Sequence, residues 1–531
     1  MRIVMKTNKI WMIGAALLIM LTTACREESD KLITYDHNDI LAFNEASSSF
    51  AGKFKVTWNG LNQYYSLWDY EKEQGLDWDA VYDEYLPKFE EMDNRGTDDP
   101  VTDDEMEEMM RKVLSPLHDG HLAVRWKNHF TENIVTYDPS NDRIALRDDA
   151  KIAHSYTPSL MYYKDLAHDE VMTKDGQPIV MEYSTLCEDL LNDFFYTPGK
   201  GMKWITAEIE RIESLTSPTD KEKSDCKHLK ELANELEDVE SMGDADRATQ
   251  IYNNLSERYA ILEVPGFDVI DPGFIDYGVK EKFALLKGNI AYFYFSDFSL
   301  TSYIDPPSKF FDLVNDVTRN HVGMIKKVWL SWFNTIQELH KKGTLGGVII
   351  DVRGNGGGFN NDSKYVVGAL LPSGGFQYGY CRFKRGTGRY DYSSLMPAIS
   401  MTMDDEHEIV DDRPVVLLTN CGSVSMSEVT AQVVRLMKNG TIIGKRTHGG
   451  LCGLQSNELF SLNYSGYIGV ENVTPVYGYI PQLASFTMDM EQLEGYGIEP
   501  NIEVDLNTEQ FDNNGRDSQL DRALQFIRNG N

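Results

Sequence analysis

Two uncharged runs, each followed by a turn of small residues, most constrain how this 531-residue chain can fold. Residues 345–350 lead into a glycine-rich turn, and residues 414–419 lead into a serine-containing turn. Unbroken apolar runs of this length are typical of strands that are buried on both faces of a sheet. Helical patterns lie beside them, so the segment from about residue 286 predicts an α/β core built from strand–helix crossover units.

The same periodicity arguments predict other elements along the chain. Residues 31–118 have helical spacing of apolar side chains, and residues 121–126 alternate as in a strand. The remaining predicted elements are strands at 289–295 and 441–445, helices at 324–342, 364–371 and 426–438, and a charged helical insertion at about 203–258.

These patterns divide the chain into five parts. We predict an export signal at 1–25, a helical N-terminal domain at 26–120, a mixed α+β middle region with its insertion at 121–285, an α/β core at 286–510 and a C-terminal tail at 511–531.

The net charge of −32 excludes general nucleic-acid binding, because so acidic a surface repels a phosphate backbone. The six cysteines form no CxxC pair and no zinc-like spacing with histidine. The sequence therefore predicts neither a structural metal nor a cofactor.

The N-terminus has the pattern of a secretory signal, with basic residues before a short apolar run and small residues before Cys25. This arrangement resembles the lipobox of bacterial lipoproteins, with Thr22 where the box usually has leucine. The acidic residues after Cys25 are similar to those of surface lipoproteins of Bacteroides-like bacteria. The resemblance implies lipidation of Cys25 and an exported protein anchored to the outer membrane, on its periplasmic side or at the cell surface.

The turn after residue 419 contains Ser425, which a helix follows directly. A serine at this place has its hydroxyl beside free helix N-terminal N–H groups, which can stabilise an oxyanion. Ser425 with Glu428 three residues later is equally the pattern of a helix capping box. Glycines 356–358 favour the first interpretation, because a backbone without side chains can turn its N–H groups toward a ligand.

Four blocks in order carry a more specific resemblance: GGVIIDVRGNGGG, VVLLTNCGSVSMSEVTAQVV, IIGKRTHGG and EGYGIEPNIEV. Together they resemble serine peptidase family 41, which includes the C-terminal processing (tail-specific) peptidases and the tricorn core proteases. The resemblance implies a ClpP/crotonase-like core with a mixed sheet and flanking helices. It also implies that Ser425 is the nucleophile and that the N–H groups of Met426 and Gly357 form the oxyanion hole.

The two branches of the family differ in the residue that acts as the catalytic base. Processing peptidases have a lysine where this chain has Gly450, and Lys445 earlier in the block is a poor substitute. The tricorn branch uses a histidine, whose position is matched here by His121, with His118 as the nearby competitor. A neutral imidazole suits the role because its pKa lies near the working pH.

The acid of the tricorn branch is matched by Glu494, which in that branch supports the histidine through a serine. This chain has Gly120 at the position of that serine, and Asp119 is an alternative group to orient the imidazole. The resemblance therefore implies a serine-type endopeptidase that cleaves peptides or unfolded proteins outside the cytoplasm. The alternative is a surface lipoprotein of the same fold that binds peptides and is catalytically weak or inactive.

Overall fold

The computed structural model describes residues 40–156, 170–184, 279–304, 316–404 and 412–530, apart from positions 176, 387, 454, 457–462 and 465. Residue 409 and short pieces between 206 and 234 are also described. The predicted export signal with Cys25, and most of the predicted insertion at 203–258, lie outside the described residues.

Most of the described helices lie before residue 156, and most of the described strands lie after it. The described helices are α1 Ile40–Ala46, α2 Phe50–Tyr64, α3 Trp68–Glu73, α4 Trp78–Asp93, α5 Asp103–Leu114, α6 Pro139–Ala145, α7 Ala150–Ser155, α8 Leu300–Ile304, α9 Asp316–Lys341, α10 Met426–Leu436, α11 Thr508–Asn514 and α12 Ser518–Asn529. The described strands are β1 Ala123–Lys127, β2 Ile134–Tyr137, β3 Thr173–Lys174, β4 Gln177–Pro178, β5 Val180–Ser184, β6 Val279–Leu286, β7 Ile290–Phe295, β8 Gly347–Asp351, β9 Phe376–Phe383, β10 Met396–Ser400, β11 Val415–Thr419, β12 Gly440–Gly444, β13 Gln455–Ser456, β14 Asn463–Tyr464, β15 Gly466–Ile468, β16 Val476–Ile480, β17 Leu483–Phe486 and β18 Ile502–Glu503.

The chain forms two compact units, and each is assembled from separated segments. The helical unit comprises Met1–Arg147, Gln377–Ile399 and His448–Gly497. The sheet unit comprises Asp148–Phe376, Ser400–Thr447 and Ile498–Asn531.

The sheet unit is built on a seven-stranded mixed sheet with the order β18-β12-β11-β8-β7-β6-β5. Strands β7, β8, β11, β12 and β18 run parallel, and β6 and β5 are added antiparallel at one edge. Every residue of β7, β8 and β11 is buried, and for β8 and β11 the unbroken apolar runs predicted this burial. Parallel pairing places the carboxyl ends of β8 and β11 at the same edge of the sheet.

Helices cover both faces of this sheet. On one face Phe293 of β7 stacks on Trp332 of α9 with ring centroids 4.8 Å apart. On the other face Leu520 and Leu524 of α12 join the core formed by side chains of β7, β8 and β11. Residues 511–531 were predicted to be a C-terminal tail. They include part of α11 and all of α12, whose apolar side chains belong to the core.

A buried ion-pair network ties α12 to the end of β8. The Arg353 guanidinium donates to Asp351 Oδ2 at 2.6 Å, to Asp517 Oδ2 at 2.7 Å and to Gln519 Oε1 at 2.9 Å. Arg353 is only 2% exposed. Asp351 pairs with the buried guanidinium through both of its oxygens, and Asp517 accepts a further hydrogen bond from it.

The helical unit packs α1–α5 against a four-stranded antiparallel sheet with the order β15-β16-β1-β2. Its core is aromatic, and Trp126 of β1 packs on Phe89 of α4 and donates its indole N–H to Thr57 Oγ1 at 2.9 Å. Thr102 and Glu105 form a reciprocal capping box at the start of α5. The helical pattern of the sequence before residue 120 thus corresponds to helices α1–α5.

The predicted fold class, an α/β core with a mixed sheet and flanking helices preceded by a helical N-terminal region, is confirmed. Two local predictions are wrong. The helix predicted at 364–371 is instead two 3₁₀ turns, because Val366 between them departs from helical dihedrals at φ −107° and ψ −102°. The strand predicted from residue 121 begins at Ala123, because the N–H groups of His121 and Leu122 donate to Asp119.

Among the described helices, none has both the length and the apolar character required to span a membrane.

We expect Asp517→Ala to destabilise the protein, because it leaves the buried Arg353 without one of its carboxylates. Because Asp351 still pairs with Arg353, the expected loss is that of one hydrogen bond between charged groups, about 1.5–3 kcal/mol, which urea denaturation measures. Asp521→Ala is the matched control on the same helix, since Asp521 pairs with the exposed Arg516 and its loss should change the midpoint little. Equal midpoints for the two variants would contradict the assignment.

Candidate active site

Ser425 lies at the turn between β11 and α10 in a strained backbone conformation. It is the N-cap residue of α10, with φ 57° and ψ −114°, and its side chain is half-buried. An L-residue rarely adopts a positive φ, and such strain is concentrated at functional sites. A serine on a strained strand-to-helix turn is the arrangement that exposes the nucleophile in α/β hydrolases.

The glycine loop after β8 lies directly against this turn. Gly357 has φ +92°, and a Cβ added to it would come within 2.6 Å of Ser425 Cβ and 2.9 Å of the Met426 nitrogen. Only glycine fits at this position. The structure therefore brings together Ser425, Met426 and Gly357, the predicted nucleophile and the two predicted oxyanion donors.

The two predicted donors differ in their present hydrogen bonds. The Met426 N–H begins α10, where no acceptor is recorded for it among the described residues. The Gly357 N–H donates to Asn355 Oδ1 at 2.9 Å. An oxyanion would have to compete with the Asn355 side chain for the Gly357 N–H. The neighbouring Gly358 is exposed to solvent.

Asn355 is a residue of the site that sequence reasoning missed. Its side chain is buried and donates to the Phe295 carbonyl at 2.9 Å. Its own carbonyl accepts the Val424 N–H at 3.0 Å and the Ser427 hydroxyl at 2.8 Å. Asn355 thus fastens the glycine loop to the nucleophile turn. Its position between two glycines was the available signal, but its partners are too distant in sequence to be inferred.

The predicted histidine and its acids lie in the helical unit. Asp119 Oδ1 accepts the N–H groups of His121 at 2.7 Å and Leu122 at 2.9 Å, and Glu494 Oε1 accepts the Gly120 N–H at 2.7 Å. Both acids therefore hold the main chain of the turn. The Nδ1 atom of His121 is buried and has no hydrogen-bond partner among the described residues.

Glu494 is more than a partner of Gly120. Its second oxygen accepts the N–H groups of Leu451 at 2.7 Å and Cys452 at 2.6 Å, and the side chain is 2% exposed. Glu494, Asp119 and Cys452 have potential ligand atoms within 4.8 Å of one another. Because the Glu494 oxygens already accept three main-chain N–H groups, this cluster is suited to binding backbone rather than a metal ion.

His118, the competing base, is oriented by a carboxylate. Its Nδ1 lies 2.7 Å from Glu71 Oε2, and its backbone N–H donates to Glu71 Oε1 at 2.7 Å. Glu71 is buried and also accepts the Tyr65 hydroxyl at 2.5 Å. Glu71 is a second residue that the sequence did not reveal. A half-exposed imidazole held by a buried carboxylate is a suitable general base, so His118 stays a competitor of His121.

Two groups are thus described, each inside its own unit. Ser425, Met426 and Gly357 belong to the sheet unit, and His121 and Glu494 belong to the helical unit. Lys445 belongs to the sheet unit, where its ammonium pairs with Glu503 at 2.6 Å and Asp505 at 2.8 Å. Partial burial acts to lower the pKa of Lys445, but its hydrogen bonds to Asp505 and Glu503 raise that pKa overall, so the amine is protonated at neutral pH and unable to accept a proton.

Residues 321–504 match the model described as peptidase family S41. A tricorn protease homolog of Saccharolobus solfataricus is 29% identical over 195 residues, which are 36% of this chain and 14% of that protein. The carboxy-terminal-processing protease of Bartonella bacilliformis is 26% identical over 161 residues, 30% of this chain and 31% of that protein. The chain thus spans less than a third of the length of these curated relatives. The solved structure of mature CPAF is 12% identical, with 91% of this chain and 98% of that one covered and a TM-score of 0.43.

The presence of Gly120, where the tricorn branch has a serine, has a structural cause. A Cβ on Gly120 would come within 2.5 Å of the Gly450 Cα and 2.7 Å of the Gly449 carbonyl oxygen. The serine of the tricorn branch therefore does not fit at position 120 while the backbone at 449–450 lies there. Glu494, the predicted acid, instead accepts the Gly120 main-chain N–H directly.

Burial lowers the pKa of His121 to about 4, with a smaller contribution from His448. The imidazole is therefore neutral, and able to accept a proton, at neutral and mildly acidic pH. Burial raises the pKa of Asp119 to about 7 against the hydrogen bonds that it accepts from the main chain.

We expect Gly120→Ser to destabilise the helical unit instead of restoring a tricorn-type relay, since its Cβ has no room. Overpacking of this kind costs about 1–3 kcal/mol, and the melting temperature reports it. Gly96→Ser is the control, because a Cβ at Gly96 meets nothing within 4 Å. A Gly120→Ser variant that melts like the control and is more reactive than wild type would contradict this reading.

If His121 is the base, reaction at Ser425 should persist well below the ordinary histidine pKa of about 6.5. The lowered pKa keeps the imidazole neutral until the pH approaches about 4. Labelling of Ser425 by a fluorophosphonate probe, measured from pH 4 to 8, should therefore decline near pH 4. A decline centred near pH 6.5 would instead assign the role to a histidine with an ordinary pKa.

Proposed function

We propose that the protein is a serine-type endopeptidase that cleaves peptides or unfolded proteins. The observation that carries the proposal is Ser425, held at a positive φ at the start of α10 with the glycine loop beside it. The S41 match over residues 321–504 supports peptide-bond hydrolysis as the chemistry.

In the proposed mechanism Ser425 Oγ attacks the peptide carbonyl carbon while His121 accepts the hydroxyl proton. The Met426 N–H and an N–H of the glycine loop stabilise the tetrahedral oxyanion, each contributing on the order of 10²–10³ in rate. His121 then gives its proton to the leaving amine as the C–N bond breaks. Water hydrolyses the acyl-enzyme by the same steps in reverse, which restores the Ser425 hydroxyl.

The role of the acids differs from that in the tricorn branch. Glu494 and Asp119 fix the main chain on either side of the His121 Cα, and we assign to them the positioning of the turn. The imidazole orientation then depends on packing and on the bound substrate, since Nδ1 has no partner among the described residues.

We propose that the protein acts outside the cytoplasm, anchored to the outer membrane through a lipid on Cys25. The support is the basic and apolar N-terminal segment that ends at Cys25. The net charge of −32 favours neutral or basic substrates through long-range steering. Fractionation of cells that express wild type or Cys25→Ala tests the anchor.

One observation favours the second candidate, a peptide-binding lipoprotein with weak or absent catalysis. Within the part of the chain that the structure describes, the His121 Nδ1 has no partner for the hydrogen bond that usually sets the orientation and tautomer of a catalytic imidazole. In this candidate an extended peptide binds and remains intact.

The decisive experiment exposes wild type, Ser425→Ala, His121→Ala and His118→Ala to a fluorophosphonate probe and to unfolded casein. We expect wild type to label and to cleave, and Ser425→Ala to do neither. We expect His121→Ala to lose about 10²–10⁴-fold in rate, the range for general-base catalysis, and His118→Ala to lose much less.

Other outcomes separate the alternatives. A wild-type protein that binds casein but neither labels nor cleaves would support the binding lipoprotein. If His118→Ala loses the rate and His121→Ala keeps it, the base is His118 held by Glu71, while the nucleophile assignment survives.

A further inference from the structure

The strained conformation of Ser425 requires a structural cause. Its φ of 57° and ψ of −114° lie where L-residues are rarely found. Such conformations persist only when surrounding contacts over-determine them. The contacts of α10 and of the segment after β12 show which residues supply this constraint.

Glu428 binds both main-chain groups of Ser425. The Ser425 N–H donates to Glu428 Oε2 at 3.1 Å, and the Glu428 N–H donates to the Ser425 carbonyl at 2.8 Å. The Glu428 side chain is completely buried. A buried carboxylate is costly unless its oxygens accept hydrogen bonds, so its position is sharply defined.

Thr447 holds the other oxygen of Glu428. Its hydroxyl donates to Glu428 Oε1 at 2.6 Å. The same hydroxyl oxygen accepts the Ile498 N–H at 2.6 Å, and the Thr447 N–H donates to the Ile498 carbonyl at 3.1 Å. Because Oγ1 receives the Ile498 hydrogen, its own single hydrogen is directed at Glu428. A chain of hydrogen bonds thus runs from Ile498 through Thr447 and Glu428 to Ser425.

We propose that Glu428 and Thr447 are positioning residues that hold Ser425 in its reactive conformation. This inference rests on the proposed function, because its consequence is the reactivity of the Ser425 hydroxyl. Neither side chain needs to touch the substrate, since Glu428 binds the Ser425 main chain and Thr447 acts through Glu428. The S-x-x-E pattern, which from sequence could be a simple helix cap, is in this proposal part of the device that presents the nucleophile.

The proposal explains why position 428 requires a carboxylate. Both of its oxygens accept hydrogen bonds, one from the Ser425 N–H and one from the Thr447 hydroxyl. Glutamine has the same shape but a single acceptor oxygen, so its NH₂ group would face one of these donors. Valine at position 447 likewise keeps the shape of threonine and removes the hydroxyl.

The chain offers a matched control in Thr419 at the end of β11. Thr419 is fully buried like Thr447, and its hydroxyl donates to the Lys445 carbonyl at 2.8 Å. Its hydroxyl therefore binds the segment after β12 to which Thr447 also belongs. The hydrogen bonds of Thr419 in the described structure do not include one to Glu428. Thr419→Val removes a buried hydroxyl without opening the chain that leads to Ser425.

The experiment measures the rate of fluorophosphonate labelling, kcat and KM for unfolded casein, and the melting temperature. We expect Glu428→Gln and Thr447→Val to lose about 10- to 100-fold in labelling rate and kcat, the size of effect that a small misplacement of a reacting group produces. KM should stay near the wild-type value. Thr447→Ser, which keeps the hydroxyl, should recover most of the rate, and Thr419→Val should react like wild type.

Two results would overturn the inference: wild-type labelling rates in Glu428→Gln and Thr447→Val, or an equal loss in Thr419→Val. If wild type itself does not react with the probe, the proposed function fails and a crystal structure of Thr447→Val decides the inference separately. A Ser425 φ that leaves the positive region supports the positioning role, and an unchanged φ refutes it.

Discussion

The parallel pairing of β8 with β11 is the constraint on which the rest of the candidate site depends. It brings the two following loops to the same edge of the sheet, so that Gly357 lies against Ser425. Asn355 then joins the two loops through its main-chain carbonyl, which accepts the Val424 N–H and the Ser427 hydroxyl. The absence of a Cβ at position 357 is what permits this approach, and any other residue there would push the loop away from Ser425.

Buried carboxylates in both units act on the main chain rather than on the reacting side chains. Glu428 holds the backbone of Ser425, while Asp119 and Glu494 hold the turn that carries His121. A hydrogen bond to a charged group contributes about 1.5–3 kcal/mol, more than one between neutral groups. Such bonds can maintain strained turns, and they leave the hydroxyl and imidazole groups available for chemistry. The predicted acids Asp119 and Glu494 thus bind main-chain N–H groups in this structure.

The sequence predicted the periodic parts of the fold well. Strands β8 and β11 and helix α10 lie within one or two residues of their predicted positions, because their sequence patterns are local and uninterrupted. The segment at 364–371 was predicted poorly, since the break at Val366 leaves no trace in the apolar spacing. The residues grouped around Ser425 were predicted through motif resemblance, whereas Glu71 and Asn355 could not be, because their partners lie tens of residues away.

The sequence by itself determined the strand and helix periods, the glycine loop and the serine turn, because each depends on neighbouring residues. Only the tertiary structure decided what these residues contact. The space at Gly120 is set by the distant backbone of Gly450, and the strain at Ser425 is held by a hydrogen-bond chain that ends at Ile498. Contacts of this kind join residues that are remote in sequence, and close packing alone sets their distances.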